Sequence, residues 1–222
     1  MTNRIPIIGL VGGIGSGKSA LAAAFESLGC RRLDADRAGH DMLARADVYA
    51  ELVTTFGNSI LAPDGRIDRQ RLAAVAFADD ASTAALNRIV GGALWPEFRR
   101  RALEAADAAP SQAPAVVLDA ALLYESETAD LCDAVVFVEA PDEVRRRRLH
   151  SARGWTWEEV LRRESRQFPL SRKRALADFL CTNDADLNAL RATAEQILAD
   201  VRERFSSPNG QKTARRSGLG PT

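Results

Sequence analysis

The feature that most constrains this chain is a run of glycines set between a buried strand and a helix. Ile5 to Val11 is a short apolar stretch bounded by glycine, the pattern of a buried strand. It leads into Gly12-Gly13-Ile14-Gly15-Ser16-Gly17-Lys18-Ser19-Ala20, after which Leu21, Phe25 and Leu28 recur at helical spacing and Gly29 supplies a stop. Strand, turn and helix in this order match G-x-x-x-x-G-K-[ST] in full. Glycines let successive backbone N–H groups converge, and the helix N-terminus adds partial positive charge, so the turn is suited to phosphate oxygens. Lys18 is placed to reach the β- and γ-phosphates of a nucleoside triphosphate, and the Ser19 hydroxyl to hold Mg²⁺. The bland alternative is a glycine turn that binds nothing. Against it stands the lysine itself, since only Lys18, Lys173 and Lys212 among 30 basic residues are not arginine.

The rest of the chain alternates short apolar runs with helical patterns. Cys30 to Asp34, Ala115 to Leu118, Ala134 to Val138 and Asp178 to Cys181 read as further strands. Residues 36–105 read as mostly helical, broken by Pro63-Asp64-Gly65, by Gly91-Gly92 and by Pro96. Ala106 to Pro114 is an Ala/Pro/Ser-rich loop, and Asp142 to Arg174 a polar helical stretch. A closing amphipathic helix over Asp186 to Phe205 carries Leu187, Leu190, Ala194, Ile197 and Val201 on one stripe. Ser206 to Thr222 is basic and rich in Gly, Ser and Pro, which predicts a disordered tail. Strands alternating with helices predict an α/β fold with a mostly parallel sheet, and the long helical stretch after the second strand reads as an inserted subdomain.

Composition excludes several classes of protein. With 222 residues, 46% of them hydrophobic, the chain can bury a sizeable core as one domain with an insert. Thirty basic and thirty acidic residues leave no net charge, so nucleic acid is not the expected partner. Cys30, Cys132 and Cys181 are widely spaced with no CxxC pair, which argues against a disulfide framework or a zinc site. No apolar run approaches the roughly 18 residues of a membrane span, and the apolar start is too short for a signal peptide. The expected location is the cytoplasm.

Beyond the glycine loop, three groups of residues carry chemistry. Asp34-Ala35-Asp36 ends the second strand, on the sheet edge where open α/β sheets bind ligands. A carboxylate there can orient a substrate hydroxyl toward a γ-phosphate, ligate Mg²⁺ indirectly, or cap the next helix. Asp119 ends another apolar run, the layout of a metal-associated aspartate or of a turn cap. Residues 145–174 hold eleven basic and three acidic side chains. Arginines there, Arg153 and Arg163 among them, form a lid that neutralises a transferring phosphoryl group, a solvated face, or an RNA-binding surface. Trp155, Trp157 and Phe168 read as packing residues, and His150 as structural.

Taken in order, GGIGSGKS, LDADRAGH, ALLYE, RRLHSARG and ESRQFPLSRKRALADFLCTND resemble the dephospho-CoA kinase family, from about Ile7 to Leu198. The specific parts are the aspartate pair with His40 four residues beyond Asp36, and the later Ala177, Asp178 and Asn183. The resemblance implies a three-layer α/β fold of the P-loop NTPase type: a kinase domain over 1–205 with core segments 1–36, 112–142 and 175–205. A helical CoA-binding insert over about 37–110 and an Arg-rich lid over 143–174 complete it. It implies transfer of the γ-phosphate of ATP to the ribose 3′-hydroxyl of dephospho-CoA, with Mg²⁺. Asp36 would contact the acceptor hydroxyl, and Gly12, Gly13 and Gly15 to Ala20 would lie against the ATP phosphates. Arg153 and Arg163 would be lid arginines with Gln167 beside them, Asn183 would border adenine, and Ser19 and Asp119 would serve the metal.

Three positions depart from the family's usual residues. Gly91-Gly92 replaces a His-Pro helix start after Leu86-Asn87-Arg88-Ile89, Ala121 replaces a proline, and Ala20 a threonine. Two other readings stand beside the resemblance: a P-loop kinase of another small molecule or nucleoside, and a nucleotide-binding regulatory protein of low turnover. A guanine-specific switch would show N-K-x-D, whereas Lys173 is followed by Arg174 and Ala175.

Overall fold

The structure, a computed structural model, describes residues 4–107, 113–184 and 186–207. Five strands, β1 (Ile7–Gly12), β2 (Arg31–Asp34), β3 (Val116–Asp119), β4 (Ala134–Glu139) and β5 (Phe179–Thr182), form one sheet in the order β2-β3-β1-β4-β5. Leu10 of β1 lies between Asp119 of β3 and Val136 of β4, both in parallel register. Every residue of β1 and β3 is buried, which is why these strands read as unbroken apolar runs rather than alternating ones.

Nine α-helices complete the described residues: α1 (Lys18–Ser27), α2 (Ala35–Met42), α3 (Ala46–Phe56), α4 (Arg69–Ala76), α5 (Asp80–Asp107), α6 (Asp142–Arg153), α7 (Trp157–Glu164), α8 (Leu170–Leu176) and α9 (Leu187–Ser206). On one sheet face, Ile8, Leu10, Val117 and Val136 form a core with Leu21 and Phe25 of α1 and Leu190, Ala194, Ile197 and Val201 of α9. Leu187, expected on the same stripe, is instead 74% exposed, because it opens α9 one turn before the helix reaches that core. Helix α9 runs one residue beyond its expected end at Phe205. Of the expected tail, residues 208–222 lie outside the described residues.

The chain divides into two compact units, one of residues 1–33 and 102–222 and the other of residues 34–101. The second has its own core of Val48, Leu52, Ile60, Leu72, Ala76 and Ile89. Pro63-Asp64-Gly65 does form a turn, closed by Gly65 N–H donating to Ala62 O at 2.9 Å and by a bridge between Leu61 and Ile67. The division falls inside α5, because its last turns bury Ala102, Ala105 and Ala106 and Ile5 N–H donates to Ala106 O at 2.9 Å.

Gly91-Gly92 and Pro96 do not break the helical stretch as expected, nor does Gly91-Gly92 sit near a helix start. All three lie within the 28-residue α5. A proline ring crowds the carbonyl four residues earlier, here that of Gly92, and removes one helix hydrogen bond. Likewise Ala106 and Asp107, expected in a loop, are helical.

Candidate active site

Between β1 and α1 the backbone curls into a cradle. Gly12 has φ 150° and a Cβ there would stand 2.2 Å from Val138 O; at Gly17, with φ 96°, a Cβ would stand 1.9 Å from Asn183 Nδ2. Neither position admits another residue without moving the loop. Gly17 caps α1 without a side-chain acceptor, and no acidic residue lies in the first turn. The amide end of the helix is thus left to an external anion. Ser16 is 1% exposed, and its Oγ is buried with no hydrogen-bond partner among the described residues. A buried hydroxyl without a partner is costly, and a phosphate oxygen would satisfy it. The cradle fits a phosphate chain.

Side chains from the other end of the sequence hold the loop in place. Asn183, just beyond β5, donates through Nδ2 to Ser16 O at 2.8 Å, and its own N–H donates to Glu139 O at 2.8 Å. Arg148 bridges Asn183 O at 3.2 Å and Ser16 O at 3.5 Å. Arg145, 4% exposed, donates through Nε to Ile14 O at 2.9 Å and pairs with Asp142 at 3.0 Å and with Glu164. Glu164 also accepts the Ile14 N–H at 2.6 Å, so both polar groups of the Ile14 peptide are tied to α6 and α7. A cavity of about 210 Å³ beside the loop is lined by Gly13, Ser16, Glu139, Arg145, Ser171 and Arg174.

The expected site residues divide between the two units. Lys18 Nζ donates back to Gly12 O at 3.0 Å and Gly13 O at 3.2 Å, arched over the loop. Ser19 is exposed in the first turn of α1. Asp119, 8% exposed at the end of β3, accepts from Arg32 at 2.7 Å. One hydroxyl and one carboxylate suit Mg²⁺, which keeps most of its ligands as water and substrate phosphate. Arg153 and Arg163 lie 4.8 and 4.2 Å from the Trp155 ring centroid, so the two expected lid arginines share one aromatic platform. Trp157 carries Arg145 and Arg146, and Phe168 carries Arg172. These aromatics hold guanidinium groups and are not simple packing residues. In the second unit, Asp34 caps α2 by accepting Arg37 N–H at 3.0 Å, and Asp36 is exposed in the first turn.

The dephospho-CoA kinase family profile matches residues 6–189. The chain belongs to the dephospho-CoA kinase family. A dephospho-CoA kinase of Carboxydothermus hydrogenoformans is 36% identical over 195 residues, 87% of this chain and 92% of that one. The crystal structure of TT1252 from Thermus thermophilus superposes with a TM-score of 0.70 at 35% identity, over 89% of this chain and 98% of that one. A dephospho-CoA kinase from Campylobacter jejuni, at 20% identity and a TM-score of 0.57 over 88% and 97% of the two chains, shares the fold. The sheet is therefore that of a P-loop kinase.

Within this kinase fold, sequence reasoning passed over several residues that build the site. Arg145, Arg148 and Glu164 clamp the loop, while Asn183, expected at the adenine, supports Ser16. Arg145 and Arg148 were indistinguishable from their neighbours in the run Arg145 to Arg148, and nothing local marks Glu164. Lys173, buried against Glu125, did leave a signal: it is one of only three lysines.

Proposed function

We propose that this chain transfers the γ-phosphoryl group of ATP to the ribose 3′-hydroxyl of dephospho-CoA, giving CoA and ADP, in the cytoplasm. The observation that carries the reading is the phosphate cradle, with a Ser16 hydroxyl that has no hydrogen-bond partner among the described residues and an α1 start without a side-chain cap. Family membership supports the acceptor.

In this reading the amides from Gly12 to Ala20 hold the phosphates, and Lys18 leaves the Gly12 and Gly13 carbonyls for the β- and γ-phosphate oxygens. Asn183 borders the adenine end. Asp36 accepts a hydrogen bond from the ribose hydroxyl of the acceptor, and the helical insert over about 37–110 binds the acceptor. Arg153 and Arg163 neutralise charge on the phosphoryl group as it transfers. Ser19 directly, and Asp119 through water, would hold Mg²⁺, which when bound offsets charge on the β- and γ-oxygens. Phosphoryl transfer has a loose transition state, so positioning and charge do most of the work.

A coupled ADP-release assay with a panel of acceptor alcohols tests the proposal. Turnover with dephospho-CoA and not with nucleosides, shikimate or sugars is the expected result. Turnover with another alcohol alone, or with none, would overturn it.

A further inference from the structure

Lys173 is completely buried, and its ammonium group meets three acceptors: Ala121 O at 2.9 Å, Glu125 Oε1 at 2.8 Å and Gln167 Oε1 at 2.9 Å. Three N–H donors therefore find three partners. The partners come from two segments, the loop that follows Asp119 and the linker between α7 and α8. Glu125 Oε1 draws the linker in further by accepting the Phe168 N–H at 2.8 Å. Its second oxygen is buried without a hydrogen-bond partner among the described residues.

A buried ion pair contributes little net stability, because the desolvation of both charges offsets their attraction, and a partnerless oxygen makes the balance worse. What such a pair supplies is a defined position. The linker is the direct continuation of α7, since Gln167 N–H donates to Glu164 O at 2.9 Å. At that same end of α7, Arg163 lies against Trp155 and Glu164 accepts the Ile14 N–H of the phosphate loop.

We infer that Lys173 is a positioning residue for phosphoryl transfer. With Glu125 it locks the α7–α8 linker onto the loop after Asp119, and so sets where Arg163 and Gln167 stand as the lid acts. The inference rests on the proposed lid role of Arg153 and Arg163.

The test compares Lys173→Met with the double variant Lys173→Met/Glu125→Gln, which leaves no buried charge unpaired and keeps an acceptor for Phe168. Steady-state kinetics with ATP and dephospho-CoA are read beside melting temperatures. The expected result is a kcat at least tenfold lower in both variants, with KM for ATP within about threefold of the wild type. The double variant should melt closer to the wild type than the single one, without recovering kcat. If kcat recovers with the melting temperature, or if the double variant does not fold, Lys173 serves the fold alone and the inference is overturned. Should Lys173→Met fail to fold, the kcat of the double variant decides. Arg153→Ala and Arg163→Ala separate the two readings. If they lower kcat and the Lys173 variants do not, only the positioning role fails; if they leave kcat unchanged, the lid reading fails and the inference with it.

Discussion

Asp34 and Asp36 are two residues apart, yet the backbone places them differently. Asp34 spends its carboxylate on the Arg37 N–H at the start of α2, whereas Asp36 is exposed one step into the helix. Asparagine caps a helix about as well as aspartate, so Asp34→Asn should keep kcat within about threefold of the wild type. Asp36→Asn keeps the shape but loses the charge proposed to attract the acceptor proton, and kcat should fall by about 10²–10⁴. Nucleotide titration should find ATP binding intact in both. If the Asp34 variant were the inactive one, the roles within this pair would be reversed. Lys18→Ala should lower kcat on the order of 10²-fold or more, as when one preorganised transition-state donor is removed. Near-normal turnover would rule out the phosphate role of the lysine.

Helix α5 shows why single residues are poor punctuation. Gly91, Gly92 and Pro96 each disfavour a helix interior, but Ile89, Leu94 and Phe98 of this same helix are buried, and that packing outweighs local propensity. Propensity returns where packing is absent. A Cβ at Gly92 would meet nothing within 4 Å, so Gly92→Ala should raise unfolding free energy by about 0.5–1 kcal/mol. Thermal denaturation should show a rise of a degree or more, and a fall would mean that the proline needs glycine there. In α6 and α7, by contrast, position depends on contacts between elements: Arg145 is buried because Glu164 and Ile14 face it, not because of its place in an arginine run.

Across the whole molecule, two buried thiols link stability to pH. Burial pushes Cys30 and Cys181 up to about 11 from the ordinary 9.0. The folded state therefore keeps protons that the unfolded chain releases above pH 9. Stability from these groups is fully present below that pH and is lost as pH rises from 9 to 11. At about 1.4 kcal/mol per pKa unit, the loss is on the order of 2 to 3 kcal/mol per thiol. Denaturation midpoints of Cys30→Ala/Cys181→Ala should fall less steeply over that interval than those of the wild type; equal slopes would contradict this. The sequence by itself determined what depends on near neighbours: five strands from apolar runs, the phosphate loop from its glycines and lysine, and an α/β fold from the alternation of elements. Short-range sterics and hydrophobic periodicity decide those features, so they are legible in order along the chain. Only the tertiary structure decided which of many arginines hold the loop, that Asn183 supports Ser16 from 167 residues away, and that Glu164 reaches Ile14 across 150. Burial of a charged side chain depends on which partner the fold brings opposite it, and no local pattern encodes that partner.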